Sequence, residues 1–190
     1  FTLKKIIKKL NIQSLNLNTI KFLNWFSEYN LIPVGMSLKM HLLSNCGIEK
    51  LDNNVYQNYI NQCLKKKFEL SKEQEIALKE IVQNASKFRV HLLQGTTGSG
   101  KTIVYFNSIK NKIEKNLQAL ILLPEIGLTS EFEKKFKEFF GYNAAIWHSG
   151  ISKKKKKIIW SGLATGKVKV VIGARSALFL PFKKLGIIIV

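Results

Sequence analysis

Eight consecutive residues, Gly95-Thr96-Thr97-Gly98-Ser99-Gly100-Lys101-Thr102, have the spacing G-x-x-x-x-G-K-[ST]. Glycines at these positions let a backbone curl so that successive N–H groups point inward, and a helix starting at the lysine adds its positive end. Such a loop holds a polyphosphate. Lys101 is expected to reach the terminal phosphates and Thr102 to offer its hydroxyl to Mg²⁺, an oxygen-seeking ion. The competing reading is a glycine-rich turn carrying a chance Lys-Thr pair. Upstream, Ser71 and Gln74 have capping-box spacing, and Gln74 has two expected roles: closing that box or reading adenine.

A phosphate loop needs a strand before it and a helix after it. Val90–Gln94 is the expected strand and Lys101–Glu114 the expected helix. Further short apolar runs, Ala119–Leu123, Ala144–Trp147, Val168–Ile172 and Ile187–Val190, alternate with amphipathic stretches at Ser71–Ala85, Ser130–Phe140 and Ser152–Thr165. This is the rhythm of βαβ units, so the fold class is α/β: a parallel sheet covered by helices on both faces. Residues 1–66 have another texture. Leu3, Ile6, Ile7 and Leu10 keep helical spacing, Ile20, Leu23, Trp25, Phe26 and Tyr29 follow, and Pro33 and Gly35 precede a second short helix around Ser37–Leu43. Asn45–Asn54 has the polar character of a connection, and Lys65-Lys66-Lys67 marks a linker. The expected division is therefore a small basic helical part, 1–66, and a nucleotide-binding lobe, 67–190.

The 190 residues carry 31 Lys and Arg against 12 Asp and Glu, a net charge of +19. That predicts attraction to a polyanion, or reflects a Lys-, Asn- and Ile-rich coding bias. Cys46 and Cys63 are too few for a zinc set. No apolar run approaches the roughly 20 residues that cross a bilayer, so no membrane role is expected and the chain reads as cytoplasmic. Phe1 in place of Met, and an apolar Ile187–Val190 run that stops without a turn, make both ends expected interior points of a longer polypeptide.

Four segments in order carry a resemblance. Leu92–Tyr105 around the loop, Leu123-Pro124-Glu125-Ile126-Gly127-Leu128-Thr129, His148-Ser149-Gly150, and Ile172-Gly173-Ala174-Arg175-Ser176-Ala177-Leu178-Phe179 resemble the motifs of the PriA family of replication-restart superfamily 2 DNA helicases, and Pro181–Gly186 fits. The sequence departs from the family pattern at Thr96, Ile103 and Ala174, and Asn45–Glu69 is too short for the family's winged helix. The resemblance implies a RecA-like lobe using ATP and Mg²⁺ for 3′→5′ movement on DNA at stalled forks. It makes Trp25, Tyr29, Pro33 and Gly35 the tail of an N-terminal DNA-binding region, and Ile187–Val190 the strand preceding an Asp-Glu-Glu-His that the chain does not reach.

The same resemblance gives Glu125, Thr129, His148, Arg175 and Ser176 as DNA-facing residues. Four of them also have a plainer reading: a solvent-facing turn for Glu125, helix capping for Thr129, a satisfied polar residue at a strand end for His148, an ion pair for Arg175. Lys153–Lys157 opposes the dipole of its own helix, and a solvated face is its expected role. Implied partners are single-stranded and forked DNA, primosome proteins and single-strand binding protein, in a nucleoid-associated setting. Zinc is implied only for the family's C-terminal part. The chain by itself is expected to bind nucleotide without hydrolysing it at a helicase rate. The readings from other classes are a non-catalytic nucleotide- and DNA-binding module, and a phosphate-loop kinase lacking a recognisable lid.

Overall fold

The computed structural model describes residues 14–42, 55–56, 59, 69–83, 88–124 and 130–190. The expected helix over Leu3–Leu10, the Asn45–Asn54 connection, the Lys65–Lys67 linker, Glu125 and Thr129 lie outside the described residues. Four strands, β1 (Gln118–Leu122), β2 (Ala145–Trp147), β3 (Val170–Gly173) and β4 (Leu185–Ile189), form one sheet in the order β2-β3-β1-β4. Every pairing is parallel. Among the described residues six α-helices accompany them: α1 (Leu17–Tyr29), α2 (Val34–His41), α3 (Lys72–Gln83), α4 (Lys101–Glu114), α5 (Ser130–Phe140) and α6 (Lys153–Thr165). The expected α/β fold is present.

Parallel strands need crossovers, and alternate side chains along each strand go to opposite faces. Ala119 and Ile121 of β1 and Val170 and Ile172 of β3 share one core with Phe106, Ile109 and Ile113 of α4 and Phe136, Phe139 and Phe140 of α5. Leu120 and Val171 face the other way, onto Ile159, Trp160 and Leu163 of α6 with Trp147 and Tyr56. This is why the strand sequences are apolar throughout: both faces are covered. Only a short turn separates the end of α4 at Glu114 from the start of β1 at Gln118. Thus α4 runs antiparallel to the strands and its N-terminus lies at the sheet's C-terminal edge.

One expected strand, Val90–Gln94, is not formed among the described residues. Residues 88–94 join no ladder, and Phe88, Val90 and Leu92 are 94%, 85% and 91% exposed. A strand exists only where a neighbouring edge pairs with it, and among the described residues the edge strands β2 and β4 pair with β3 and β1 alone. The apolar pattern is a property of the segment, whereas pairing is a property of two. The second helix also starts earlier than expected. Pro33 is its N-cap, so proline and glycine open α2 and do not precede it as a break.

Helices α1 and α2 form a hairpin stitched by buried serines. Ser27 Oγ donates to Leu23 O at 2.8 Å, Ser27 and Ser37 hydroxyls lie 2.6 Å apart, and Ser37 Oγ also reaches Val34 O at 2.9 Å. The hairpin rests on a short 3₁₀ helix, Arg175–Phe179, that follows β3.

Candidate functional site

Local geometry builds the loop as the sequence requires. Gly98 and Gly100 have φ of +83° and +79°, the left-handed region that favours glycine. A Cβ on Gly100 would run into the Gln74 side chain, and one on Gly95 would lie 2.7 Å from Ser99 Oγ. Gly100 caps α4 with no side-chain acceptor; Ile103 N donates to Gly100 O at 2.9 Å, which leaves the N–H groups of Lys101 and Thr102 to a ligand. Lys101 Nζ donates to Gly95 O at 2.6 Å and Thr96 O at 2.7 Å. Its ammonium thus sits over the loop, held by carbonyls that a phosphate would replace. Thr102 accepts from the Tyr105 hydroxyl at 3.3 Å, which still leaves its oxygen a second lone pair. Burial raises the Tyr105 phenol above its ordinary value, so it stays a neutral donor.

Uncapped helix donors, a left-handed glycine turn and a lysine on carbonyls fit a nucleotide polyphosphate, and the Thr102 hydroxyl fits its Mg²⁺. Among the described residues no group of His, Cys, Asp and Glu could hold a metal ion on its own. Any divalent ion here would arrive with the phosphates.

Gln74 uses its whole carboxamide on protein. Its Oε1 accepts from Ser71 N at 3.0 Å while Gln74 N donates to Ser71 Oγ at 3.3 Å, both halves of the capping box. Its Nε2 donates to Ser99 O at 3.1 Å. Helix α3 is thereby fastened to the phosphate loop. The spacing showed the box but not this reach across 25 residues.

The remaining sequence-selected residues gather by topology. All strands are parallel, so His148 after β2 and Arg175 and Ser176 after β3 stand at the same C-terminal edge as the start of α4. That edge is where open α/β sheets bind ligands. His148 Nδ1 accepts from Gly150 N at 3.1 Å, the satisfied polar residue of its plainer reading. Arg175 and Ser176 are exposed at the start of the 3₁₀ helix, and Arg175 makes no ion pair among the described residues. Gly173 allows the turn: a Cβ there would lie 2.8 Å from both Trp147 O and Ala177 Cβ. Beside it Ala174 N donates to Trp147 O at 3.1 Å.

Lys156 Nζ reaches Ser149 O at 3.1 Å and lies 6.0 Å from the Trp147 ring centre. Sequence reasoning missed Tyr105, and it missed His41 at the end of α2. A tyrosine three residues beyond Thr102 on one helix was a readable signal; His41 offered none.

The family described as "Type III restriction enzyme, res subunit" matches residues 67–185. Replication restart protein PriA of Rickettsia conorii is 39% identical over 189 residues, covering 98% of this chain and 27% of the relative. The PriA proteins of Helicobacter pylori strain 26695 and Bacillus subtilis are 44% and 42% identical over 121 and 123 residues, 64% of this chain in each case. The chain carries the res-subunit domain and belongs to the PriA family. It spans about a quarter of the length of the Rickettsia PriA relative. The α/β RecA-like fold expected from the sequence is present. Among the described residues of this PriA-family chain, no helix is long and apolar enough to cross a membrane.

Proposed function

We propose that this chain is the first nucleotide-binding lobe, with part of the preceding DNA-binding region, of an ATP-dependent 3′→5′ DNA helicase that restarts replication. One observation carries the reading: a complete phosphate loop, with Lys101 over its carbonyls and unused helix donors, lies in a chain 39% identical across nearly its whole length to a replication restart protein. Loop N–H groups and Lys101 would bind the β and γ phosphates, and Thr102 would contribute to the Mg²⁺ shell. The bound ion would neutralise charge developing on the transferred phosphoryl group. Gln74 holds the loop in register with α3, and to read an adenine it would have to give up its bond to Ser71 N or to Ser99 O. Arg175 and Ser176, with His148 beside them and Glu125 and Thr129 on the connection after β1, would face the DNA backbone, where contacts fix position without reading sequence.

Single-stranded and forked DNA, primosome proteins and single-strand binding protein are the proposed partners, in the cytoplasm at the nucleoid. Residues 1–66 and 67–190 are the proposed functional division. Of the groups that phosphoryl transfer needs, Lys101 and Thr102 are in place among the described residues, and an arginine finger, a further such group, is worth roughly 10³–10⁵ in rate. The chain on its own should therefore bind nucleotide and release phosphate far below a helicase rate. The test is calorimetric titration with Mg·ATP and Mg·ADP. Weak binding that disappears in Lys101→Ala supports the reading. Equal affinity of the two proteins would refute it, and DNA-stimulated phosphate release matching that of a longer PriA chain would refute the division of labour.

A further inference from the structure

Arg175 and Ser176 open a 3₁₀ helix of five residues. So short a helix has few internal bonds and poor hydrogen-bond geometry, so its shape depends on what holds its ends. The front end is tied to the sheet, through Ala174 N on Trp147 O at 3.1 Å and the fully buried Ala177. The back end is held by the α1–α2 hairpin. Phe179 packs edge-on against Phe26, ring centres 4.9 Å apart, and against Phe22 at 5.5 Å.

One polar group is sealed into that contact. His41, the last residue of α2 and 3% exposed, has Nδ1 2.7 Å from Phe179 O. A carbonyl only accepts, so Nδ1 carries the hydrogen, and the bare Nε2 is buried with no partner among the described residues. The carbonyl of the same residue accepts from Trp160 Nε1 of α6 at 2.8 Å. His41 therefore joins the helical hairpin, α6 and the end of the 3₁₀ helix.

We propose that His41 is a positioning residue for the DNA-facing turn: its Nδ1–H, locked on Phe179 O, fixes the 3₁₀ helix that presents Arg175 and Ser176. A buried imidazole with one nitrogen unpaired among the described residues is costly as mere filler, and a leucine would occupy the site without that penalty. The bond gained is the one that ends the turn. This inference rests on the reading of Arg175 as a DNA contact, and it makes the small helical hairpin part of that contact without touching DNA.

The test measures single-stranded DNA affinity by fluorescence anisotropy at low salt in the full-length chain. His41→Leu removes the donor, and His41→Asn keeps an N–H at nearly the same place. Loss of one net hydrogen bond predicts roughly three- to tenfold weaker binding for His41→Leu, with His41→Asn within about twofold of wild type. In an Arg175→Ala background His41→Leu should add nothing further. Trp160→Phe, which removes the second bond together with part of a buried ring, should weaken binding by roughly threefold or more and serves if His41→Leu does not fold. Wild-type affinity in His41→Leu or in Trp160→Phe, equal loss in the leucine and asparagine variants, or independent losses at His41 and Arg175 would each overturn the inference. Unchanged affinity in Arg175→Ala would instead overturn the assignment of Arg175 to DNA, and the inference with it.

Discussion

Gln118 is 1% exposed and joins three elements at the end of the sheet remote from the phosphate loop. Its Nε2 donates to Leu163 O at 3.1 Å and Val168 O at 2.8 Å, and its Oε1 accepts from Lys184 N at 2.9 Å. Gln118→Leu keeps the volume and abandons these backbone groups. It should lower stability by about 2–4 kcal/mol in urea unfolding, and a change under about 0.5 kcal/mol would refute the role. His41 gives a pH dependence. Burial lowers its pKa below the ordinary 6.5, opposed by the bond to Phe179 O. Below 6.5 the unfolded chain takes up a proton that the folded chain resists, so stability is complete above that value and declines as pH falls. The carboxylate held low by a neighbour, Glu131 beside Lys135, titrates in a more acid window, below 4.5. The urea midpoint should fall between about pH 7.5 and 5.5 and flatten in His41→Leu. A midpoint that rises on acidification would contradict this.

Helix α6 begins against its own dipole. Lys153–Lys157 occupy its start, and each lysine there costs a few tenths of a kcal/mol or more. Two features offset this. Ser152 caps the helix by accepting from Lys155 N at 3.3 Å, and Gly166 ends it at φ +80°. Burial of Ile159, Trp160 and Leu163 then stabilises the helix by more than the lysines cost, at about 1.5–3 kcal/mol for each large apolar side chain. Ser152→Ala should cost about 1 kcal/mol. Ser152→Asp should be neutral or stabilising, since it keeps the cap and adds a negative charge where the helix favours one. Thermal unfolding of both variants distinguishes capping from a passive serine, because a passive serine would leave the alanine variant unchanged.

At the scale of the molecule, charge is the dominant feature: +19 over 190 residues, of which Arg175 stands at the strand ends and Lys153–Lys155 are exposed at the start of α6 while Lys156 and Lys157 are half-buried. Binding that releases counterions weakens steeply with salt and is indifferent to sequence. Single-stranded DNA affinity should fall by roughly 10³-fold or more between 50 and 200 mM salt if about six phosphates are contacted. Arg175→Ala should weaken binding more than Lys155→Ala, since the first lies at the candidate edge and the second on a solvated helix face. No binding at low ionic strength would make the charge a matter of composition alone.

The sequence by itself determined what depends on neighbours along the chain. The phosphate loop, the bounds of α4, the capping box of Ser71 and Gln74 and the apolar strands of a covered sheet are all set within about a dozen residues, where glycine spacing, side-chain periodicity and caps act directly. Tertiary structure decided what depends on partners far away. The run Val90–Gln94 reads as a strand and pairs with nothing among the described residues, because a ladder needs a second edge that no local pattern records. His41 finds Phe179 across 138 residues, and Gln118 finds Lys184 across 66. Such bonds arise only once burial has brought the elements together and each polar group left inside must find whichever backbone group has arrived beside it.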